Sequence, residues 1–298
     1  MEVIRLAVLT LIMALSLVFL VAWVISMRCH PDKRWPSRWE FAIGLVTDFF
    51  DALGIGSFPT STSLFRLGRL VREEDIPGTL NVGHAPAAVV EALVFITAVA
   101  VDPLLLGMMT AGTMAGAWLG AGYVLRLPRL ALQWVLGVGT LVAALLFVAV
   151  NLHLLPGGGD AFFLTGWRFC VATVGSVLLG SLMAAGVGLF GPCMIMLALL
   201  GMHPLAAFPV MMAAGCVQQL VSGTRYARAG RYAFGMTLGL GLGGVIGALV
   251  ASLMVRSLPV GILRWLVAVV ALYVAVDFLF AAVRTGAGKS LPSGAAAD

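Results

Sequence analysis

The sequence predicts an all-α polytopic membrane protein made of two inverted repeats, each a re-entrant broken-helix hairpin plus three transmembrane helices, with one extra N-terminal helix. Apolar residues form 61% of the 298 residues and charged residues only 10%, against roughly 25% charged residues in an average soluble domain. A glycine-rich break occurs twice, and the segments after each copy follow the same order. This composition excludes a soluble globular core.

The two breaks lie inside long apolar stretches. The first reads G-I-G-S-F-P from Gly54 to Pro59, and the second reads G-V-G-L-F-G-P from Gly186 to Pro192. Non-helical backbone at membrane depth persists only where it is buried in protein or lines a cavity. We expect each break to end one helix and to begin another at its proline, leaving backbone N–H groups that attract anions. The alternative is that these glycines only allow close helix packing.

The first apolar span covers residues 4–27. Basic residues follow it instead of preceding it, so we predict a retained helix and not a signal peptide. Each hairpin is followed by three spans, near 77–100, 103–126 and 130–152 in the first half and near 205–225, 233–255 and 260–283 in the second. The predicted units are 1–38 (extra helix and basic loop), 39–152 (first repeat), 153–161 (linker), 162–284 (second repeat) and 285–298 (disordered tail).

Two further matches support the duplication. Glycines spaced by four residues occur once in each half, and each set is followed by the pattern L-P-x-x-x-L-x-W, beginning at Leu127 and at Leu258. Spacing by four places the glycines on one helix face, where they let helices approach closely. The two glycine sets are Gly112, Gly116 and Gly120, and Gly239, Gly243 and Gly247.

The basic residues predict the orientation. If loop 28–38 is cytoplasmic, all but four of the 18 Lys and Arg residues fall on the cytoplasmic side, as the positive-inside rule requires. We predict an integral protein of a bacterial cytoplasmic (inner) membrane, with the N-terminus outside and the C-terminus cytoplasmic. Its partners are lipid and not nucleic acid, and a homodimer is compatible with the sequence. The four exceptions are Arg5, Arg168, Arg256 and Arg264.

No motif for nucleotide hydrolysis, metalloprotease chemistry or a nucleophile elbow is present, so we predict that the protein is not an enzyme. Its four cysteines show neither C-x-x-C nor zinc-site spacing. We therefore expect no metal site and no cofactor. The cysteines are Cys29, Cys170, Cys193 and Cys216.

Polar residues inside the apolar spans are the candidate site residues, because such residues are costly in a membrane and usually line a pathway. Asn81, His84 and Glu91 fall on one helical stripe, and Asp48 and Asp51 precede the first break. We predict proton coupling by Glu91, with Asp51 and Asp48 as further carriers. The alternative is a set of structural hydrogen bonds between helices.

Other candidates surround the two breaks. Hydroxyls after the first break could donate to an anion, two phenylalanines could act as gates, and two thiols either fill space or contact a sulfur anion. The predicted substrate-binding residues are Gly54, Gly56, Ser57, Phe58, Pro59, Thr60, Ser61, Asn81, His84, Gly188, Phe190, Gly191, Pro192, Cys193, Cys216, Gln218 and Gln219.

The duplicated breaks, the glycine-spaced helices and the L-P-x-x-x-L turns resemble the TauE/SafE family of sulfite exporters, over about residues 40–283. The resemblance implies a secondary transporter, and more specifically an exporter, of small sulfur-containing anions such as sulfite or organosulfonates. The short first glycine run, the Ser- and Thr-rich arm after it, and helix 4–27 depart from the family pattern. Two alternatives are uptake of a thiosulfate-type anion through Cys193 and Cys216, and a membrane thiol-redox protein using the same thiols.

Overall fold

The computed structural model of the chain describes residues 2–30, 34–53, 55–98, 102–154, 159–254, 272, 276 and 278–284. Within these residues the fold is helical, and a short 3-10 turn, Glu73–Asp75, precedes the fourth α-helix. The helices are α1 (Glu2–Cys29), α2 (Arg38–Ala52), α3 (Ser57–Gly68), α4 (Ile76–Gly83), α5 (Ala85–Ala98), α6 (Pro103–Val124), α7 (Arg129–Asn151), α8 (Gly166–Ala184), α9 (Phe190–Leu199), α10 (Pro204–Ala229) and α11 (Phe234–Met254).

Seven helical segments in the described part of the chain are long and apolar enough to cross a membrane. This confirms an integral membrane protein. The predicted span 77–100 is interrupted at His84, which lies between α4 and α5. Pro86 follows two residues later, and proline has no N–H group to donate to the helix hydrogen bonds. The seven segments are Val3–Cys29, Glu73–Thr97, Pro103–Val124, Arg129–Leu146, Gly166–Ala184, Leu205–Ala229 and Phe234–Ser252.

The chain leaves the helical conformation at both glycine-rich segments. The gap between α2 and α3 contains Gly56, with a φ of 93°, and the gap between α8 and α9 contains Gly186, with a φ of 97°. Positive φ values of this size suit glycine because it has no Cβ atom. A substitution at either position would therefore strain the break.

The expectation that each new helix begins at its proline was wrong. The third helix begins at Ser57 and the ninth at Phe190, so Pro59 and Pro192 are each the third residue of their helix. Proline is tolerated in the first turn because the N–H groups there have no intrahelical acceptor. As a result, each helix start offers two backbone N–H groups before its proline.

The two glycine sets bring helices from different halves of the chain together. Helix α6 packs on α8, and α11 packs on α2. A Cβ atom on Gly116 would lie 2.0 Å from the carbonyl oxygen of Val177, and one on Gly243 would lie 2.1 Å from that of Phe41. The predicted close approach is therefore confirmed. The glycine-spaced helix of each half thus packs on the helix that precedes the break in the other half. The inverted orientation of the repeats stays a prediction.

Several predicted features lie outside the described residues: Gly54, the second L-P pattern beginning at Leu258, most of the span 260–283, and the tail 285–298. The linker 153–161 is described at 153–154 and 159–161. The unit boundaries given above stay predictions.

Replacing Gly116 by Ala is expected to lower the stability of the protein by about 1–3 kcal/mol, the usual cost of overpacking, because backbone of α8 blocks the added methyl group. The measurement is the thermal melting of the purified protein in detergent. Gly107→Ala is the matched control in the same helix, where the nearest atom to a new Cβ is Ile4 Cγ2 at 3.3 Å, a side-chain methyl that can shift. Equal melting temperatures for the two variants would contradict the role of the glycine set.

Candidate functional site

The two glycine-rich breaks lie against each other. A Cβ atom on Gly188 would lie 3.0 Å from Pro59 Cδ, and one on Gly56 would lie 3.9 Å from Phe190 Cβ. A Cβ atom on Gly191 would have no atom within 4 Å, so the start of α9 borders open space. The start of each short helix is thus close to the other break, although the depth of this contact in the membrane stays a prediction.

A carboxylate of the protein itself occupies the start of α3. The Ser57 backbone N–H donates to Asp51 Oδ1 at 2.9 Å, and the Ser57 hydroxyl donates to Asp51 Oδ2 at 2.6 Å. Both residues are 1% exposed. Such an interaction is favoured because the N–H groups and the helix dipole attract negative charge. The two Ser57 donors, which the sequence analysis assigned to a bound anion, are therefore engaged by Asp51.

A second carboxylate reaches α3 through a histidine. His84 Nδ1 lies 2.8 Å from Asp48 Oδ1, and His84 Nε2 lies 2.9 Å from Ser61 Oγ. An ionised Asp48 can only accept, so His84 Nδ1 donates to it, and Nε2 of a neutral ring then accepts from the Ser61 hydroxyl. This chain of hydrogen bonds links the last turn of α2 to the second turn of α3.

Glu91 completes a buried group of three carboxylates. One oxygen atom from each of Asp48, Asp51 and Glu91 lies within 4.8 Å of the others. Among the described residues, neither oxygen of Glu91 has a hydrogen-bond partner, although the side chain is 1% exposed. Three ionised carboxylates this close together repel one another strongly in a buried site. Positive charge is needed to offset them, as protons or as a hard cation, which oxygen ligands of this kind can hold.

Asn81 belongs to a different environment from that of His84 and Glu91. Its Nδ2 donates to the carbonyl oxygen of Pro77 at 2.8 Å and lies 3.3 Å from that of Met183, near the end of α8. The amide of Gln218 donates to Asn81 Oδ1 at 3.2 Å. The expectation that Asn81 shares one stripe with His84 and Glu91 does not describe these contacts. Asn81 and Gln218 support the second break instead.

The second break has thiols and amides close to it where the first has acids. A Cβ atom on Gly215 would lie 3.7 Å from Phe190 Cζ, which brings the neighbouring Cys216 close to this break. Cys193 and Cys216 are free thiols, 1% and 0% exposed. The side-chain amide of Gln219 is fully buried and has no hydrogen-bond partner in the described structure.

The imidazole of His84 and the thiol of Cys216 are related by a sequence spacing that recurs between the two halves. The sequence spacing that separates Phe58 from Phe190 also separates Pro77 from Pro209 and Gly83 from Gly215. By the same spacing His84 corresponds to Cys216. The two halves therefore present different chemistry at one matching position, next to their respective breaks.

Two other predicted residues are engaged within the protein. The Thr60 hydroxyl donates to the carbonyl oxygens of Gly56 and Ser57, at 3.1 and 2.7 Å. The ring of Phe58 is buried, with its centroid 5.8 Å from that of His84. Thr60 thus supports its own helix, and Phe58 packs beside the acidic group.

Sequence reasoning missed three residues at this site. The Thr62 hydroxyl is buried without a partner among the described residues, and the Tyr226 hydroxyl donates to the carbonyl oxygen of Ala184 at 2.8 Å. A Cβ atom on Gly244 would lie 2.2 Å from Asp48 Oδ2. Of the three, only Gly244 could have been predicted from the sequence, because it directly follows Gly243 of the glycine set.

We expect Asn81→Leu to destabilise the protein by about 1–3 kcal/mol, since it leaves carbonyl groups at the end of α8 without a donor. Gln219→Leu is the matched comparison. It removes a buried amide that has no partner in the described structure, so it is expected to be nearly neutral or stabilising. Thermal melting of both variants is the measurement. A large loss with Gln219→Leu would mean that Gln219 has a partner, such as a bound water.

One family model matches the chain, described as Sulfite exporter TauE/SafE, over residues 1–147. The match includes α1, which the sequence analysis placed outside the family core, and it ends within α7, short of the predicted limit near residue 283. No curated protein and no solved structure matches the chain. The resemblance seen in the sequence is confirmed over residues 1–147, which match the model of the TauE/SafE sulfite exporter family.

Proposed function

We propose that the protein is a secondary transporter that exports small sulfur-containing anions, such as sulfite or organosulfonates, and binds them between its two glycine-rich breaks. The family match supports an exporter of this kind. The observation that carries the binding site is the contact between the breaks, where the start of α3 already holds a carboxylate through the Ser57 N–H and hydroxyl groups. An oxyanion presents the same acceptor chemistry.

The proposed anion ligands are the N–H groups that precede each proline. These belong to Ser57 and Phe58 in α3 and to Phe190 and Gly191 in α9, since the first N–H groups of a helix have no intrahelical acceptor. One helix terminus contributes about 0.3–2 kcal/mol, which is too little alone to strip an anion of its water. Both termini, nearby hydroxyl groups and retained water therefore act together.

Proton coupling follows from competition at Ser57. An ionised Asp51 holds both Ser57 donors and repels an incoming anion, whereas a neutral Asp51 releases them. Asp48 and Glu91 lie close enough to share the added positive charge. We therefore propose that the anion binds together with protons at this group, and that Glu91, which has no partner of its own in the described structure, carries one of them.

The membrane voltage favours the outward direction. Each elementary charge moved is worth about 2.3 kcal/mol per 100 mV, so a divalent anion leaving a negative cell interior gains about 4.6 kcal/mol at 100 mV. Export of the bare anion therefore requires no coupling ion, and each proton carried with it lowers the gain by about 2.3 kcal/mol at 100 mV. Import has to overcome the same voltage cost with protons. The orientation with the N-terminus outside, and a homodimeric assembly, stay predictions.

Thiosulfate-type uptake is the second candidate, because Cys216 lies close to the second break and Cys193 lies in the first turn of α9. A thiol-redox protein is less well supported. Both thiols are almost completely buried, and a partner thioredoxin would have no access to them.

Asp51→Asn is expected to flatten the pH dependence of anion binding. In the wild-type protein, acid strengthens binding by neutralising Asp51, while asparagine carries no charge at any pH and does not repel the anion. The measurement is sulfite binding to purified protein between about pH 5 and 8. An unchanged pH profile would show that Asp51 does not link protons to the anion.

Two variants separate the roles within this group. Ser57→Ala removes one donor and should weaken sulfite binding by about threefold to tenfold, corresponding to about 0.5–1.5 kcal/mol for one hydrogen bond. Glu91→Gln keeps the Ser57 donors and removes only charge, so it should alter the dependence of liposome flux on the pH gradient. If both flux and its pH dependence remain as in the wild type, Glu91 is structural.

Replacing Cys193 and Cys216 together with serine tests the rival functions. Sulfite flux should largely survive, because the proposed ligands are backbone N–H groups. Loss of thiosulfate flux alone would favour the second candidate. Loss of every transport activity in a variant that still melts like the wild type would contradict the proposed ligand set.

A further inference from the structure

A basic cavity lies where several helix ends meet, apart from the breaks. It has a volume of about 450 Å³, and its lining includes Arg66, Glu73, Arg129, Gln133 and Arg284. Arg66 lies in the last turn of α3, Arg129 begins α7, and Glu73 begins the 3-10 turn before α4. These positions at segment ends place the cavity at the rim of the helices and not within their apolar centre.

A neighbouring cavity extends the basic surface. Its volume is about 370 Å³, and it shares Arg66, Glu73 and Arg129 with the first. It adds Arg69, Arg72 and Glu74. Arginine suits the recognition of small oxyanions because its planar guanidinium group can donate two parallel hydrogen bonds. Arginines therefore outnumber acids around the joined space, which we call the vestibule.

Glu73 is the carboxylate on which the donors of the vestibule converge. Arg129 Nε donates to Glu73 Oε2 at 2.9 Å, and Gln133 Nε2 donates to the same oxygen at 2.7 Å. Arg66 forms an ion pair with the other oxygen. The guanidinium of Arg66 also lies over the ring of Phe278, 4.6 Å from its centroid. The donors are thus held around a single carboxylate at the wall of an open cavity.

We propose that the vestibule is a second anion site, which collects the transported oxyanion, and that Glu73 is a built-in competitor displaced by that anion. This inference deepens the proposed function and rests on it for the identity of the substrate. Glu73 is the first residue of the short 3-10 turn before α4, so its side chain can rotate away without any change in α4. Its charge offsets the arginines whenever the vestibule holds no substrate.

Helix α3 connects this site to the breaks. Ser57 is its first residue and Arg66 lies in its last turn, a separation of about 14 Å along the helix axis. An anion passing from Arg66 to the donors at Ser57 would therefore move by about the length of this helix. A carboxylate already occupies the donors at each end of the helix, Asp51 at one end and Glu73 at the other.

The test compares initial rates of sulfite flux in proteoliposomes over a range of sulfite concentrations. Arg129→Gln and Arg284→Gln should each raise the KM for sulfite by about threefold to tenfold, with little change in the maximal rate. In both variants the KM should also depend less on salt concentration than in the wild type. Glu73→Gln should lower KM by a similar factor, because it removes the competitor. Arg225→Gln is the control, since that arginine stacks on Trp118 instead of lining the vestibule.

A binding measurement separates failure of the vestibule from failure of the transport proposal. Isothermal titration of sulfite and of sulfate into the purified protein should give tighter binding to Glu73→Gln and weaker binding to Arg129→Gln and Arg284→Gln than to the wild type. Equal affinities in all four proteins would overturn the vestibule, whatever the flux. Absence of flux from a wild-type protein that shows the expected affinities would contradict only the transport proposal.

Discussion

The backbone groups released at the two breaks impose the constraint on which the rest of the structure depends. A buried N–H or C=O group without a partner costs free energy, and lipid offers no partner. The start of α3 receives the Asp51 carboxylate, and the end of α8 receives the Asn81 amide and the Tyr226 hydroxyl. The close approach of glycine-spaced helices holds these hairpins in place. Several polar side chains within the apolar spans are therefore explained by the breaks alone.

The buried polar side chains that the breaks do not explain are more informative about function. Glu91, Gln219 and Thr62 are buried, and their side-chain polar atoms have no hydrogen-bond partner among the described residues. None of these groups satisfies a break, so each carries a desolvation cost that the fold alone does not offset. Under the proposed function, a transported anion, its protons or its water would supply partners for such groups. The desolvation cost at these positions is then what a site that alternately binds and releases a substrate would show.

The sequence predicted the features that depend on local pattern and could not predict those that depend on distant contacts. The two breaks and the glycine sets are readable from spacing alone. The prediction of one helical stripe failed for Asn81 because the helix is interrupted at His84. In addition, most partners of Asn81 come from the second half of the chain. Likewise, the sequence around Glu73 does not predict that Arg129 and Gln133, more than fifty positions later, donate to its carboxylate.

The two ends of α3 suggest how an anion can move between donors that the protein's own carboxylates already engage. At Ser57 and at Arg66 the donors are engaged by internal carboxylates, so an arriving anion exchanges with a charge already present. Such an exchange changes the local charge less than binding to bare donors would. It also prevents tight trapping, since the internal carboxylate competes for the same donors when the anion leaves. A transporter needs release as much as capture, and a built-in competitor at each step supplies it.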